Sequence, residues 1–299
     1  MNRIELQELV RERQVGLVSR RDFLLRATAV LGSAAAANTL LTACSQMTTG
    51  TPPPVVDTTQ PPAEPGLETS GDLQSGIVTY NAPEGQELMG YLARNPEAGP
   101  QPAVIVIQEW WGLNDHIKDV TNRFAAAGYV ALAPDLYHGQ VATEPDEARK
   151  LAMELGMGDA VGEIQSAMAY LRAQDYTTEQ IGILGFCMGG GLVLQTAVAD
   201  DTLGAAIPFY GQPVSTTQAE QITAPVLSFL GTRDGISAIA YEQMHAVLEA
   251  NGVPNHFQLY EGAQHAFFND TRASYDPEAA ADAWSRTLAW FDEYLSPAI

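Results

Sequence analysis

Along most of the chain, short apolar runs of strand type alternate with longer segments whose apolar positions recur at helical spacing. Ile77–Tyr80 and Leu88–Leu92, separated by Pro83-Glu84-Gly85, predict a hairpin. Ala103-Val104-Ile105-Val106-Ile107 is a continuous apolar run, the pattern of a strand covered on both faces. A helix is expected from Val120 to Ala127, closed by Gly128, then a strand over Tyr129–Ala133 stopped by Pro134. Helices near 146–155 and 159–173 lead to a strand at Ile181–Gly185 and a helix from Met188 to Ala199. Strands at 205–209 and 225–230, a helix at 238–250, a strand at 256–260 and a helix at 279–295 complete the pattern. Such alternation predicts an α/β fold with a mostly parallel central sheet and helices on both faces. In that architecture the chemistry sits at the C-terminal ends of the strands.

The pattern does not extend to the first quarter of the chain. Residues 1–43 have a long polar start, Ser19-Arg20-Arg21-Asp22-Phe23-Leu24-Leu25, and an Ala-rich apolar stretch from Ala27 to Leu41. This segment resembles a twin-arginine export signal and is set aside from fold reasoning. It closes on Leu41-Thr42-Ala43-Cys44, which resembles the bacterial lipobox, whose cysteine is diacylated and becomes the first mature residue. Residues 44–74 are then the lipidated Cys44 and a Pro/Thr-rich extended linker, and 75–299 a catalytic domain. The expected address is extracytoplasmic, on a membrane through the lipid at Cys44.

The chain of 299 residues has a net charge of −21, and without residues 1–43 it keeps 9 basic and 32 acidic groups. Nucleic-acid binding needs clustered Lys and Arg, and is excluded on this balance. The two cysteines, Cys44 and Cys187, exclude a Cys-rich metal site. No metal and no cofactor is expected.

The chemistry-bearing residues follow strands. Gly185-Phe186-Cys187-Met188-Gly189 comes directly after one strand and opens a helix, the G-x-C-x-G form of a nucleophile elbow. The glycines relieve collisions in a tight strand-to-helix turn, and the helix dipole favours an anionic sulfur. Asp234 follows the strand at 225–230, and His265 follows the strand at 256–260. Nucleophile, acid and histidine thus appear in the order that such hydrolases use, each at a different strand end. A buried structural Cys in a glycine-rich turn explains the elbow alone, but not the three residues in order. His245, inside a helix, and His256, at a strand start, read as structural or solvated.

Five stretches together resemble the dienelactone hydrolase (carboxymethylenebutenolidase) family, of the α/β-hydrolase superfamily, over roughly Ile77 to Leu295. They are Gln108–Asn114, Pro134-Asp135-Leu136-Tyr137, Gly185–Gly190, Gly231–Asp234 and Tyr260–Phe267. The resemblance implies an α/β-hydrolase fold and a Cys187–His265–Asp234 triad that opens an ester or lactone through an acyl-enzyme. It also implies that Glu109 hydrogen-bonds the resting thiol, and that the backbone N–H groups of Met188 and Trp110 form the oxyanion hole. Where dienelactone-cleaving members carry arginines for the substrate carboxylate, this chain has Gly139 and Asn269. Trp111, Tyr137, Phe267 and Asn269 are the candidate substrate contacts, in an aromatic-lined site for a small-molecule ester or lactone. A general carboxylesterase or thioesterase remains an alternative, as does a non-catalytic envelope binding module. The assembly is a monomer or a homodimer.

Overall fold

The computed structural model describes residues 67–83 and 85–296. The export signal, Cys44 and most of the linker lie outside these residues. The first described element is a strand within the stretch expected to be linker, ahead of Ser75: β1 (Leu67–Ser70) pairs antiparallel with β2 (Leu73–Asn81). Its sequence, Leu-Glu-Thr-Ser, has three exposed positions, so no apolar alternation marks it.

The sheet continues with β3 (Glu87–Arg94), β4 (Gln101–Ile107), β5 (Val130–Pro134), β6 (Thr177–Phe186), β7 (Ala205–Phe209), β8 (Val226–Arg233) and β9 (Asn255–Gln264). Its nine strands lie in the order β1-β2-β3-β5-β4-β6-β7-β8-β9. β3 runs antiparallel to β5, and every pair from β5 to β9 is parallel. The central strands are apolar runs because both faces are covered: Ala103–Ile107 and Ala205–Phe209 are buried at every position.

Helices α1 (Asp115–Ala126), α2 (Pro145–Glu154), α3 (Met157–Arg172), α4 (Met188–Ala199), α5 (Thr216–Ala219), α6 (Ala238–Ala250) and α7 (Pro277–Leu295) connect the strands or close the chain. Two glycines of β6 show the layering. Side chains alternate along a strand, so Gly182 and Gly185 point to opposite faces. A Cβ on Gly182 would meet Phe291 and Leu295 of α7, and one on Gly185 would meet Gly189 at the start of α4. On the α7 face, Phe124 of α1 packs on Trp284 with ring centroids 4.6 Å apart. Helix α1 starts earlier than its apolar spacing indicated, because Asn114 caps it by accepting from the Ile117 N–H at 3.2 Å. The four-residue α5, closed by a Ser215/Gln218 capping box, was not anticipated, being too short to show a period.

Candidate active site

Parallel pairing brings the strand ends into one row. Gly185 is level with Ile107, Phe186 with Phe209, Phe209 with Phe229, and Arg233 with Gln264. The residues just beyond these positions include Glu109, Cys187, Tyr210, Asp234 and His265. Hydrogen bonds between strand ends pin two of them: Cys187 N donates to Phe209 O at 3.0 Å, and Tyr210 N to Phe229 O at 2.8 Å.

Cys187 sits between β6 and α4 with φ 55° and ψ −114°, a conformation that costs an L-residue about 1–3 kcal/mol. Tyr210 (φ 39°) and Ala266, next to His265 (φ 63°), are also left-handed, so three of the four positive-φ non-glycine residues described cluster here. Close backbone approach holds the elbow. A Cβ on Gly189 would fall 2.5 Å from the Gln108 carbonyl oxygen, and one on Gly190 2.6 Å from that of Phe209. The Cys187 sulfur stands at the positive end of the twelve-residue α4, and Met188 is the first residue of that helix.

His265 Nδ1 lies 2.9 and 3.1 Å from the two carboxylate oxygens of Asp234, whose side chain is only 1% exposed. Burial opposes the imidazolium, but hydrogen bonds to Asp234 and Cys187 outweigh it and raise His265 from the ordinary 6.5 to about 10. The imidazole edge meets the Tyr210 ring at 5.1 Å between centroids. The structure therefore brings Cys187, His265 and Asp234 together.

Glu109 takes a different place from the one implied by the family resemblance. Asn269 Nδ2 donates to its Oε2 at 2.7 Å, while Oε1 is buried without a hydrogen-bond partner. The resting thiol is linked to His265, and the Glu109 carboxyl is held by Asn269. The amide is fixed in that sense because its Oδ1 accepts from the backbone N–H of Thr271 at 3.0 Å and from its hydroxyl at 2.6 Å. Burial pushes the Glu109 carboxyl upward, against the Asn269 hydrogen bond and the charges of Arg272 and His265.

A cavity of about 550 Å³ opens above Cys187. Trp110, Ala152, Met157, Met188, Gly191, Tyr210, Gln212, Gly235 and Ile236 line it with Cys187, Asp234 and His265. The Tyr210 hydroxyl is buried and unpartnered. Among the described residues, no group of three or more His, Cys, Asp and Glu side chains is placed to hold a metal ion.

The family model for the dienelactone hydrolase family matches residues 88–295. The chain is 38% identical to Protein usf of Aquifex pyrophilus over 71% of its own length and 96% of that protein. It is 35% identical to an Aquifex aeolicus protein provisionally named carboxymethylenebutenolidase, over 71% of its length and 95% of that protein. A crystal structure from Klebsiella pneumoniae, provisionally a dienelactone hydrolase, superposes with a TM-score of 0.67 at 32% identity, covering 74% of this chain and 99% of that one. The chain belongs to the dienelactone hydrolase family. It is accordingly a carboxylic ester hydrolase on an α/β-hydrolase fold, and its substrates are small-molecule esters.

Within this dienelactone hydrolase family member, none of the four candidate substrate contacts lines the cavity. Asn269 is fully buried against Glu109, and Phe267 is fully buried in the core, edge-on to the Tyr210 ring at 5.3 Å. Tyr137 is buried and donates from its hydroxyl to Trp110 O at 3.2 Å and Met188 Sδ at 3.4 Å. Trp111 is covered by the Arg272 guanidinium, 4.1 Å from its ring centroid. Tyr137, Ala142, Ala148 and Leu151 make a small apolar cluster against both tryptophans, whereas Phe267 belongs to the main core. The wall itself includes Met157, Gln212 and Ile236, which no motif singled out. Three of the other four histidines have local partners: His245 bonds Ser228 and Asn255, His138 lies 3.3 Å from Glu163, and His116 3.3 Å from Asp270.

Proposed function

We propose that this protein opens ester or lactone bonds by acyl transfer through Cys187. The observation that carries the reading is the strained Cys187 at the head of α4, beside a His265 that is tied to the buried Asp234. His265 takes the Cys187 thiol proton as the sulfur attacks the substrate carbonyl carbon, so that a C–S bond forms, the carbonyl π bond opens and its oxygen takes the negative charge. The N–H groups of Met188 and Trp110 receive that oxyanion, each worth about 3 kcal/mol of barrier. Collapse breaks the C–O bond, and the departing oxygen takes the His265 proton. Water then attacks the thioester, giving its proton back through His265 and releasing the acid and Cys187. For a lactone, the departing oxygen stays on the same product molecule. Asp234 fixes the imidazole and balances its charge throughout.

The protein is further proposed to be an exported lipoprotein, anchored at Cys44 and acting outside the cytoplasmic membrane. The support is the Arg20-Arg21 segment, the apolar stretch and Leu41–Cys44.

The catalytic reading is tested by hydrolysis of p-nitrophenyl acetate with wild-type protein and Cys187→Ala. The variant is expected to lose at least about 1,000-fold in kcat/KM while keeping its circular dichroism spectrum. Equal rates in the two proteins would overturn the Cys187 assignment.

A further inference from the structure

The cavity wall bears on which esters can enter. Trp110, Ala152, Met157, Met188 and Ile236 give it an apolar surface, with Gln212 as its one amide side chain. Its titratable members are Cys187, Tyr210, Asp234 and His265, and no lysine or arginine lines it. The only cation in the lining, His265, is already held by Asp234 and Cys187. Behind the wall lies a further carboxyl, the buried Glu109. Arg272, whose charge acts on Glu109, stacks on Trp111 and is not among the residues that line the cavity. A second negative charge entering here would leave water and meet two carboxyl groups with no free cation to receive it.

We infer that the site accepts esters whose acyl portion is uncharged and apolar, and excludes acyl groups that carry a free carboxylate. The inference rests on the ester-hydrolase reading and names the substrate class within it. A volume near 550 Å³ accommodates a medium-length alkyl or an aryl acyl group against Met157 of α3 and Ile236 of the loop after β8, both of which line the cavity with Cys187. Methionine suits this position because its unbranched, polarisable chain adapts to differently shaped apolar partners. The carboxylate exclusion follows from unpaired burial of charge, which does not depend on the shape of the acyl group.

The test compares p-nitrophenyl pentanoate with mono-p-nitrophenyl glutarate, in which a carboxylate replaces the terminal methyl of an acyl chain of matching length. The pentanoate is expected to be preferred by on the order of 100-fold in kcat/KM. That preference should persist in 1 M sodium chloride, because a desolvated site is screened far less than a surface field. Met157→Lys, which places an ammonium at the wall, should narrow the preference by about tenfold, and Ile236→Lys serves the same purpose from another element of the wall. Cys187-dependent turnover of both esters at rates within about threefold would overturn the substrate assignment while leaving the hydrolase reading intact. Collapse of the preference in high salt would overturn it too, by tracing the effect to the overall negative charge of the chain. Hydrolysis of neither ester, or equal hydrolysis by Cys187→Ala, would instead overturn the hydrolase reading and this inference with it.

Discussion

At the scale of single residues, the site is a set of buried polar groups whose partners come from remote parts of the chain. Glu109 shows the consequence most directly. It is 2% exposed, it shares one hydrogen bond with Asn269, and burial holds its carboxyl above the ordinary range. An unfolded chain releases that proton near the ordinary value of 4.5, whereas the folded protein keeps it to higher pH. In that window the unfolded state binds fewer protons, so this group costs stability progressively as pH rises above 4.5. Glu109→Gln removes the titration and keeps the Asn269 hydrogen bond. The variant should therefore melt higher than wild type at pH 8, with the gap closing toward pH 4, as thermal unfolding at the two pH values would show. Its kcat/KM should fall by about 10–100-fold, since the carboxyl whose charge acts on His265 is lost. A variant that is both less stable and fully active would contradict both parts.

Among elements, the decisive contact is the seating of α4 on the ends of β4, β6 and β7. Gly189 touches the Gln108 and Ile107 carbonyls, and Gly190 touches Phe209 and Gly211. These glycines are legible in the sequence as an elbow, because any side chain would push the helix off the sheet. Gly189→Ala should cost about 1–3 kcal/mol in chemical denaturation and lower kcat/KM by displacing Cys187. Gly191→Ala is the contrasting case: its Cβ would lie 3.6 Å from the nearest atom, in ordinary contact. Replacing that helical glycine should leave stability unchanged or raise it by up to about 1 kcal/mol. Sequence reasoning placed α4, α6 and β7 at their observed bounds, and for α6 the ends are marked by Ser237 and Asn251. It missed β1 and α5, which are short and carry no apolar period.

For the whole molecule, the net charge of −21 and the distribution of apolar runs describe an acidic α/β enzyme. The proposed anchor at Cys44 leads to an outcome that the fold does not influence. The full chain expressed in a bacterium should fractionate with membranes, and Cys44→Ser should appear in the soluble extracytoplasmic fraction with hydrolase activity retained. Recovery of both proteins in the soluble fraction, with no lipid mass on the wild type, would refute the anchor.

The sequence by itself determined the alternation of strands and helices, the glycine-rich turn at Cys187 and the placing of Cys187, Asp234 and His265 after successive strands. Each of these is written in local periods, glycine positions and residues just past a strand, so no knowledge of distant contacts was needed. Only the tertiary structure decided what faces the substrate. Trp111, Tyr137, Phe267 and Asn269 lie in motif stretches near catalytic residues, yet they turn behind the wall, while Met157, Gln212 and Ile236 come forward. The Asn269–Glu109 hydrogen bond joins positions 160 residues apart, and Arg272 reaches Trp111 from an equally distant segment. Which side of a loop residue meets the cavity depends on how several strand ends and helices pack together, and no local pattern encodes that arrangement.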